Sequence, residues 1–133
     1  PRVLGTIEGV MRFVALNDSP CHGLNFCQGT ISEMCSSPEQ VYDAIRYFGS
    51  RKRIFFVHFR NIRGTPTNFD EVYPDEGQID FCKAIRIYKE VGYDGLLVPD
   101  HVPDAPDDPG GFRAHAYSLG YIKALIAMVE SEA

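Results

Sequence analysis

Three residues with side chains that could bind a metal ion are spread along this sequence, namely Cys27, His58 and Asp100. Each stands at or next to the end of a short apolar run. A thiolate, an imidazole and a carboxylate together suit a divalent transition ion such as Mn²⁺, Fe²⁺ or Zn²⁺. They suit Mg²⁺ and Ca²⁺ poorly, because those ions prefer oxygen ligands. Taken singly, each residue also has a structural explanation: a small buried thiol, a hydrogen-bonded core histidine, or a carboxylate that caps a loop.

Two polar residues follow the second apolar run and could contact a substrate. Arg60 could hold a substrate carboxylate through two parallel hydrogen bonds, a geometry that a guanidinium favours. Asn61 could orient a sugar hydroxyl. The nearby Arg63 is better explained as a solvated loop residue.

The elements that must position these residues alternate between helices and strands. Apolar runs predict buried strands at 23–27, 54–59 and 95–98. Helical spacing or helix-start signals predict four helices: 6–16, one from Ser37 to Gly49 that opens with Pro38 and Gln40, 78–91, and a terminal helix containing Ile122, Leu125, Ile126 and Val129. The segment from Arg60 to Gly77 is predicted to be a functional loop. Residues 103–111 are predicted to be a loop, of which 104–111 would form a mobile lid or rim.

An order of α-β-α-β-α-β-α predicts parallel βαβ units, in which active sites lie at the carboxyl ends of the strands. Parallel strands align those ends, so Cys27, His58 and Asp100 are expected to converge although they lie far apart in sequence. We treat residues 1–133 as one unit. A complete (β/α)8 barrel needs about 250 residues, so these 133 residues could form only part of one.

Composition narrows the possible functions. The chain is 44% hydrophobic and 23% charged, with a formal charge of −5, which disfavours broad binding to nucleic acid or to anionic membranes. No run approaches the roughly 18 apolar residues of a membrane span.

The four cysteines form no CxxC pair, which argues against zinc-ribbon and thioredoxin-type sites and favours reduced thiols in a cytoplasmic protein. The first residue is Pro1 and no signal peptide follows it, which suggests processing or a fragment.

Several motifs resemble those of the mannonate dehydratase family, in the same order along nearly the whole chain. They are Asn17-Asp-Ser-Pro20, Gly23-Leu-Asn-Phe-Cys-Gln-Gly29, Phe56-Val-His-Phe-Arg-Asn61, Pro99-Asp-His-Val-Pro103 and Gly120-Tyr-Ile-Lys-Ala-Leu125. The resemblance is to the C-terminal portion of that family. It implies an α/β fold, a partial (β/α)8 TIM barrel of the xylose-isomerase-like kind with about three parallel strands.

The resemblance also implies an activity, the dehydration of D-mannonate to 2-dehydro-3-deoxy-D-gluconate in hexuronate breakdown, with Mn²⁺ or Fe²⁺ as cofactor. It implies that Cys27, His58 and Asp100 are metal ligands and that His101 takes part in proton transfer. The expected partner is a small sugar acid, without nucleic acid or membrane, and the protein is expected to form homo-oligomers.

Two other functions stay open on the sequence. An isomerase or epimerase could use the same barrel and metal, because a fold does not fix a reaction. Alternatively, the chain could be a non-catalytic fragment or binding module that keeps family residues without a complete site, because three strands cannot enclose a substrate.

Overall fold

The computed structural model describes residues 3–65 and 67–132. Within them the helices are α1 (Ile7–Val14), α2 (Gln28–Ser32), α3 (Pro38–Ser50), α4 (Phe81–Glu90) and α5 (Phe112–Ser131). The strands are β1 (Leu24–Cys27), β2 (Ile54–His58), β3 (Asn61–Thr65), β4 (Asn68–Val72) and β5 (Leu97–Val98).

Strands β1, β2 and β5 form a parallel sheet in the order β1-β2-β5, as the alternation of elements predicts. Helices α2 and α3 lie between β1 and β2 in the chain, and the hairpin β3–β4 and helix α4 lie between β2 and β5. In register, Cys27 lies beside His58, and His58 lies beside Val98. The carboxyl ends of the three strands are therefore level with one another.

The helix starts follow local capping chemistry. The hydroxyl of Thr6 accepts a hydrogen bond from the Gly9 amide at 3.0 Å, and Asp80 caps α4 through the Lys83 amide at 3.0 Å. Helix α3 begins at Pro38 after Ser37, as predicted, but the Ser37 hydroxyl makes no capping bond.

The core lies between the sheet and helices α3 and α4. Phe26 of β1 packs against Phe48 and Tyr88, with ring centroids 6.1 and 6.5 Å apart, and all three side chains are buried. Burial raises the pKa of the Tyr88 hydroxyl well above its usual value. Phe26 of β1 and Val57 of β2 are paired and point into this core, which leaves the adjacent side chains of Asn25 and His58 on the opposite face.

The structure corrects the prediction of a loop from Arg60 to Gly77. That segment contains the antiparallel hairpin β3–β4, in which Asn61 pairs with Val72 and Arg63 with Asp70. The sequence does not indicate this hairpin, because its strands are largely exposed and contain no continuous apolar run. The short helix α2, directly after β1, was also not predicted.

Residues 103–111 form a loop, as expected, and this loop is fastened to the start of α5. The Asp108 carboxylate accepts hydrogen bonds from the amides of Arg113 and Ala114 at 3.1 and 3.0 Å. The bond from Ala114, with that from Arg113, lowers the pKa of Asp108. Helix α5 starts earlier than its clearest apolar positions suggested, at Phe112. Among the described residues, no helix combines the length and the apolarity needed to cross a membrane.

Candidate metal centre

Cys27, His58 and Asp100 meet at the carboxyl edge of the parallel sheet. Each offers one donor atom, and these atoms all lie within 4.8 Å of one another. Cys27 and His58 are paired in register at the ends of β1 and β2, and Asp100 follows β5 by two residues. The convergence predicted from parallel topology is therefore what the structure shows.

The His58 ring is held at both nitrogens. Its Nδ1 lies 3.1 Å from Asp100 Oδ2, and its Nε2 lies 3.1 Å from the amide nitrogen of Asn25. If Asn25 donates to Nε2, the ring proton resides on Nδ1 and is donated to Asp100. The side chains of His58 and Asp100 are each 25% exposed, so the cluster is open to a small ligand.

The sulfur of Cys27 accepts hydrogen bonds from three donors. They are the Thr30 amide at 3.4 Å, the Thr30 hydroxyl at 3.1 Å and Arg60 Nε at 3.4 Å. Thr30 is placed by α2, which begins directly after Cys27. Donors directed at a sulfur stabilise negative charge on it, the form in which a cysteine binds a metal.

Arg60 is placed differently from the sequence expectation of a substrate clamp. Its side chain is only 4% exposed, and its guanidinium donates to Glu33 at 2.7 Å and to Glu71. Burial opposes the charge on Arg60, but the contacts with Cys27, Glu33 and Glu71 outweigh it and raise the pKa of Arg60 above its ordinary value. The guanidinium also packs on Gly29, where a Cβ would lie 2.6 Å from it. Arg60 thus supports the cluster from within the protein.

Asn61, which the sequence analysis expected to orient a sugar hydroxyl, is buried in this geometry. It is 1% exposed, and its amide nitrogen donates to the carbonyls of Pro74 and Ile79, each at 2.8 Å. Its Oδ1 accepts from the amides of Ile79 and Ile62 at 3.1 and 3.2 Å. Both ends of the side chain are therefore occupied in fastening 74–79 to the hairpin.

We expect the change Asn61→Ala to lower the free energy of unfolding by about 2 to 4 kcal/mol, because it leaves several buried backbone groups without partners. Urea denaturation of the full-length protein measures this. Asn68→Ala, at an exposed position of the same hairpin, is the matched control and should change the free energy by less than about 0.5 kcal/mol. Equal stability of the two variants would contradict the structural role of Asn61.

His101 lies at the rim, with its side chain 58% exposed. Its Nδ1 is 3.0 Å from Glu71 Oε1, and its Nε2 is 3.7 Å from Asp100 Oδ2. Glu71 therefore connects the histidine to Arg60 through one oxygen. Sequence reasoning missed Glu71 because the hairpin that carries it was not predicted.

The donor set fits a divalent transition ion. Bonds of about 2.0 to 2.3 Å from such an ion to nitrogen, oxygen and sulfur place its ligands close to the separations seen here. The charges agree, since Glu33, Glu71 and Asp100 surround one guanidinium, an excess of two formal negative charges before Cys27 is counted. An added cation would reduce that excess.

Asn25 and Thr30 are further residues of the site that the sequence analysis did not single out. Asn25 could have been found, because it precedes Cys27 by two positions in a strand and so shares its face. Thr30 and Glu33 could not have been found, because the apolar pattern of the sequence did not predict α2.

Parallel strands joined by helices, with the candidate metal ligands gathered at the carboxyl edge, are the arrangement found in α/β barrel enzymes. A model of the family described as D-mannonate dehydratase (UxuA) matches residues 1–133, and the chain belongs to that family. This confirms the resemblance found in the sequence motifs.

Individual relatives agree. A mannonate dehydratase of Thermotoga petrophila is 32% identical over 105 residues, covering 76% of this chain and 28% of the relative. One of Enterococcus faecalis is 32% identical over 132 residues, covering 94% of this chain and 36% of the relative. The crystal structure of mannonate dehydratase from Streptococcus suis serotype 2 superposes with a TM-score of 0.83 and 28% identity, over 99% of this chain and 39% of that one. The chain spans about a third of the length of these proteins, and its fold class, part of an α/β barrel, is as predicted.

Proposed function

We propose that this chain, as part of a complete barrel, serves the metal-dependent dehydration of D-mannonate to 2-dehydro-3-deoxy-D-gluconate and water. The observation that carries the proposal is the convergence of Cys27, His58 and Asp100 in a chain matched throughout by the dehydratase family. We further propose that residues 1–133 act as one unit of a cytoplasmic, homo-oligomeric enzyme of hexuronate breakdown.

Cys27, His58 and Asp100 would hold the ion, which we propose to be Mn²⁺ or Fe²⁺. When bound, a divalent cation supplies stabilisation of the negative charge that develops on a substrate carboxylate as the neighbouring carbon loses its proton. The chain's own contribution is to fix these donors: Asn25 contacts the His58 ring, and Thr30 and Arg60 donate to the Cys27 sulfur.

His101 is proposed to move a proton in this reaction. A dehydration needs a base for the proton at C2 and an acid that assists departure of the 3-hydroxyl. The imidazole of His101 lies beside the donor cluster and is more than half exposed, so a substrate bound there can reach it. The substrate contacts expected of Arg60 and Asn61 stay predictions; in this structure their polar atoms form hydrogen bonds within the protein.

The test is a dehydration assay on the full-length gene product with D-mannonate, with added Mn²⁺ and again after chelation. We expect a 2-keto-3-deoxy acid to form only in the presence of metal. A folded, metal-loaded protein that forms no such product would overturn the proposed substrate. Other aldonates and ketoses would then distinguish a related dehydratase from an isomerase of the same fold.

A further inference from the structure

Glu71 is a partly buried carboxylate that neither the sequence motifs nor the donor cluster accounts for. It lies on β4, opposite Ile62 of β3, and its side chain is 25% exposed. The antiparallel pairing of the hairpin fixes the backbone of Glu71 and directs its carboxylate toward the carboxyl edge of the parallel sheet.

One oxygen of Glu71 serves two donors. Oε1 accepts from the Arg60 guanidinium and lies 3.0 Å from His101 Nδ1. The other oxygen, Oε2, is buried and has no hydrogen-bond partner among the residues that the structure describes. In the described structure, all the hydrogen bonds to this carboxylate therefore reach Oε1. The contact with His101 Nδ1 is one of them.

The contact determines which nitrogen of His101 carries the proton. A carboxylate only accepts hydrogen bonds, so a 3.0 Å contact with Glu71 requires a proton on Nδ1. In the neutral ring, Nε2 then carries the lone pair. Nε2 is also the nitrogen nearer the donor cluster, at 3.7 Å from Asp100 Oδ2.

We propose that Glu71 is a positioning residue that holds the His101 ring with its proton on Nδ1 and its Nε2 lone pair toward the substrate. This inference rests on the proposed function and assigns His101 the role of base. In that role the C2–H bond breaks and an N–H bond forms at Nε2. The electron pair stays on the substrate and later expels the 3-hydroxyl, which leaves as water with a proton from an acid.

In other enzymes, a carboxylate that accepts a hydrogen bond from Nδ1 of a histidine base orients the ring. Such a carboxylate also stabilises the imidazolium that forms when Nε2 takes a proton. Here the carboxylate is itself anchored by Arg60, which is fixed by Glu33 at 2.7 Å. The hairpin thus supplies the residue that orients His101, and the buried guanidinium connects that residue to the metal centre.

The test compares Glu71→Ala and Glu71→Asp in the full-length enzyme. We expect Glu71→Ala to lower kcat by about 100-fold while KM and bound metal stay within about twofold of wild type, because orientation and not binding is lost. Glu71→Asp keeps the charge and should recover part of the loss. The matched control is Asp70→Ala, the exposed neighbour on the same strand, which should leave kcat unchanged.

A second measurement is independent of activity. Nitrogen-15 NMR of the metal-free protein, with the His101 signals assigned by their loss in His101→Gln, should show the proton on Nδ1 in wild type and its displacement toward Nε2 in Glu71→Ala. A wild-type proton on Nε2, unchanged kcat in Glu71→Ala, or loss of bound metal in that variant would overturn the proposal. An enzyme with no activity on D-mannonate but with the Nδ1 proton in place would overturn the proposed function and leave the role of Glu71 supported.

Discussion

Replacing His58 with alanine is expected to remove bound divalent metal from the full-length protein and to abolish dehydration of D-mannonate. The described residues offer three donor side chains at this site, and the imidazole is the central one, beside both Asp100 and the strand that carries Cys27. Changes to residues that merely support a ligand already weaken metal binding about 10- to 100-fold, so loss of a ligand should exceed that range. Metal analysis after dialysis measures the effect directly.

The control for this experiment is His22→Ala. His22 lies before β1, at the end of the sheet away from the cluster, and its Nε2 lies 3.1 Å from the carbonyl of Phe13. It should retain the wild-type metal content. His58→Asn provides a smaller change in the polarity of the site should the alanine variant fold poorly. Unchanged metal stoichiometry in both His58 variants would exclude His58 from the metal centre.

The second large effect is expected from Arg60→Met, which should lower the free energy of unfolding by about 3 to 5 kcal/mol. Methionine fills much of the same volume but leaves the buried Glu33 carboxylate, 3% exposed, without the guanidinium that lies 2.7 Å from it. Removing the positive member of a buried ion pair leaves the desolvation cost of the carboxylate less well offset. Urea denaturation of the metal-free full-length protein separates this effect from any change in metal binding.

Arg63→Met is the matched control, because Arg63 is an exposed arginine of β3, three positions further along the chain. We expect it to change stability by less than about 0.5 kcal/mol. Equal stability of the two variants would show that the buried charges around Arg60 do not depend on its guanidinium.

The parallel sheet and the convergence of the three donors could be predicted because both depend on strong local signals. The strands of the parallel sheet appear in the sequence as short apolar runs, and parallel pairing aligns their ends whatever the intervening helices contain. The residue that ends each run is then placed by topology alone. For that reason Cys27, His58 and Asp100 were found together without knowledge of any side-chain contact.

The surroundings of the site could not be predicted in the same way. The hairpin β3–β4 is short and polar, so the sequence indicated a loop, and Glu71 was lost with it. Arg60 lies just after a predicted strand, so the sequence suggested that it could contact a substrate. In the structure it is paired with Glu33 and Glu71, which lie in segments that no apolar pattern identified. Partners of this kind depend on tertiary contacts between distant segments, which a single sequence does not display.

The level register of β1, β2 and β5 also links ion binding to folding. Cys27 and His58 end β1 and β2, and Asp100 follows β5, which pairs with β2 through only two residues. A cation that requires all three donors would favour the paired over the unpaired state of β5 by RT ln(1 + [ion]/Kd), about 2.7 kcal/mol at 100 times Kd. Bound ion would then stabilise the pairing of β5 with β2. Chelation would weaken that pairing next to Asp100 and His101.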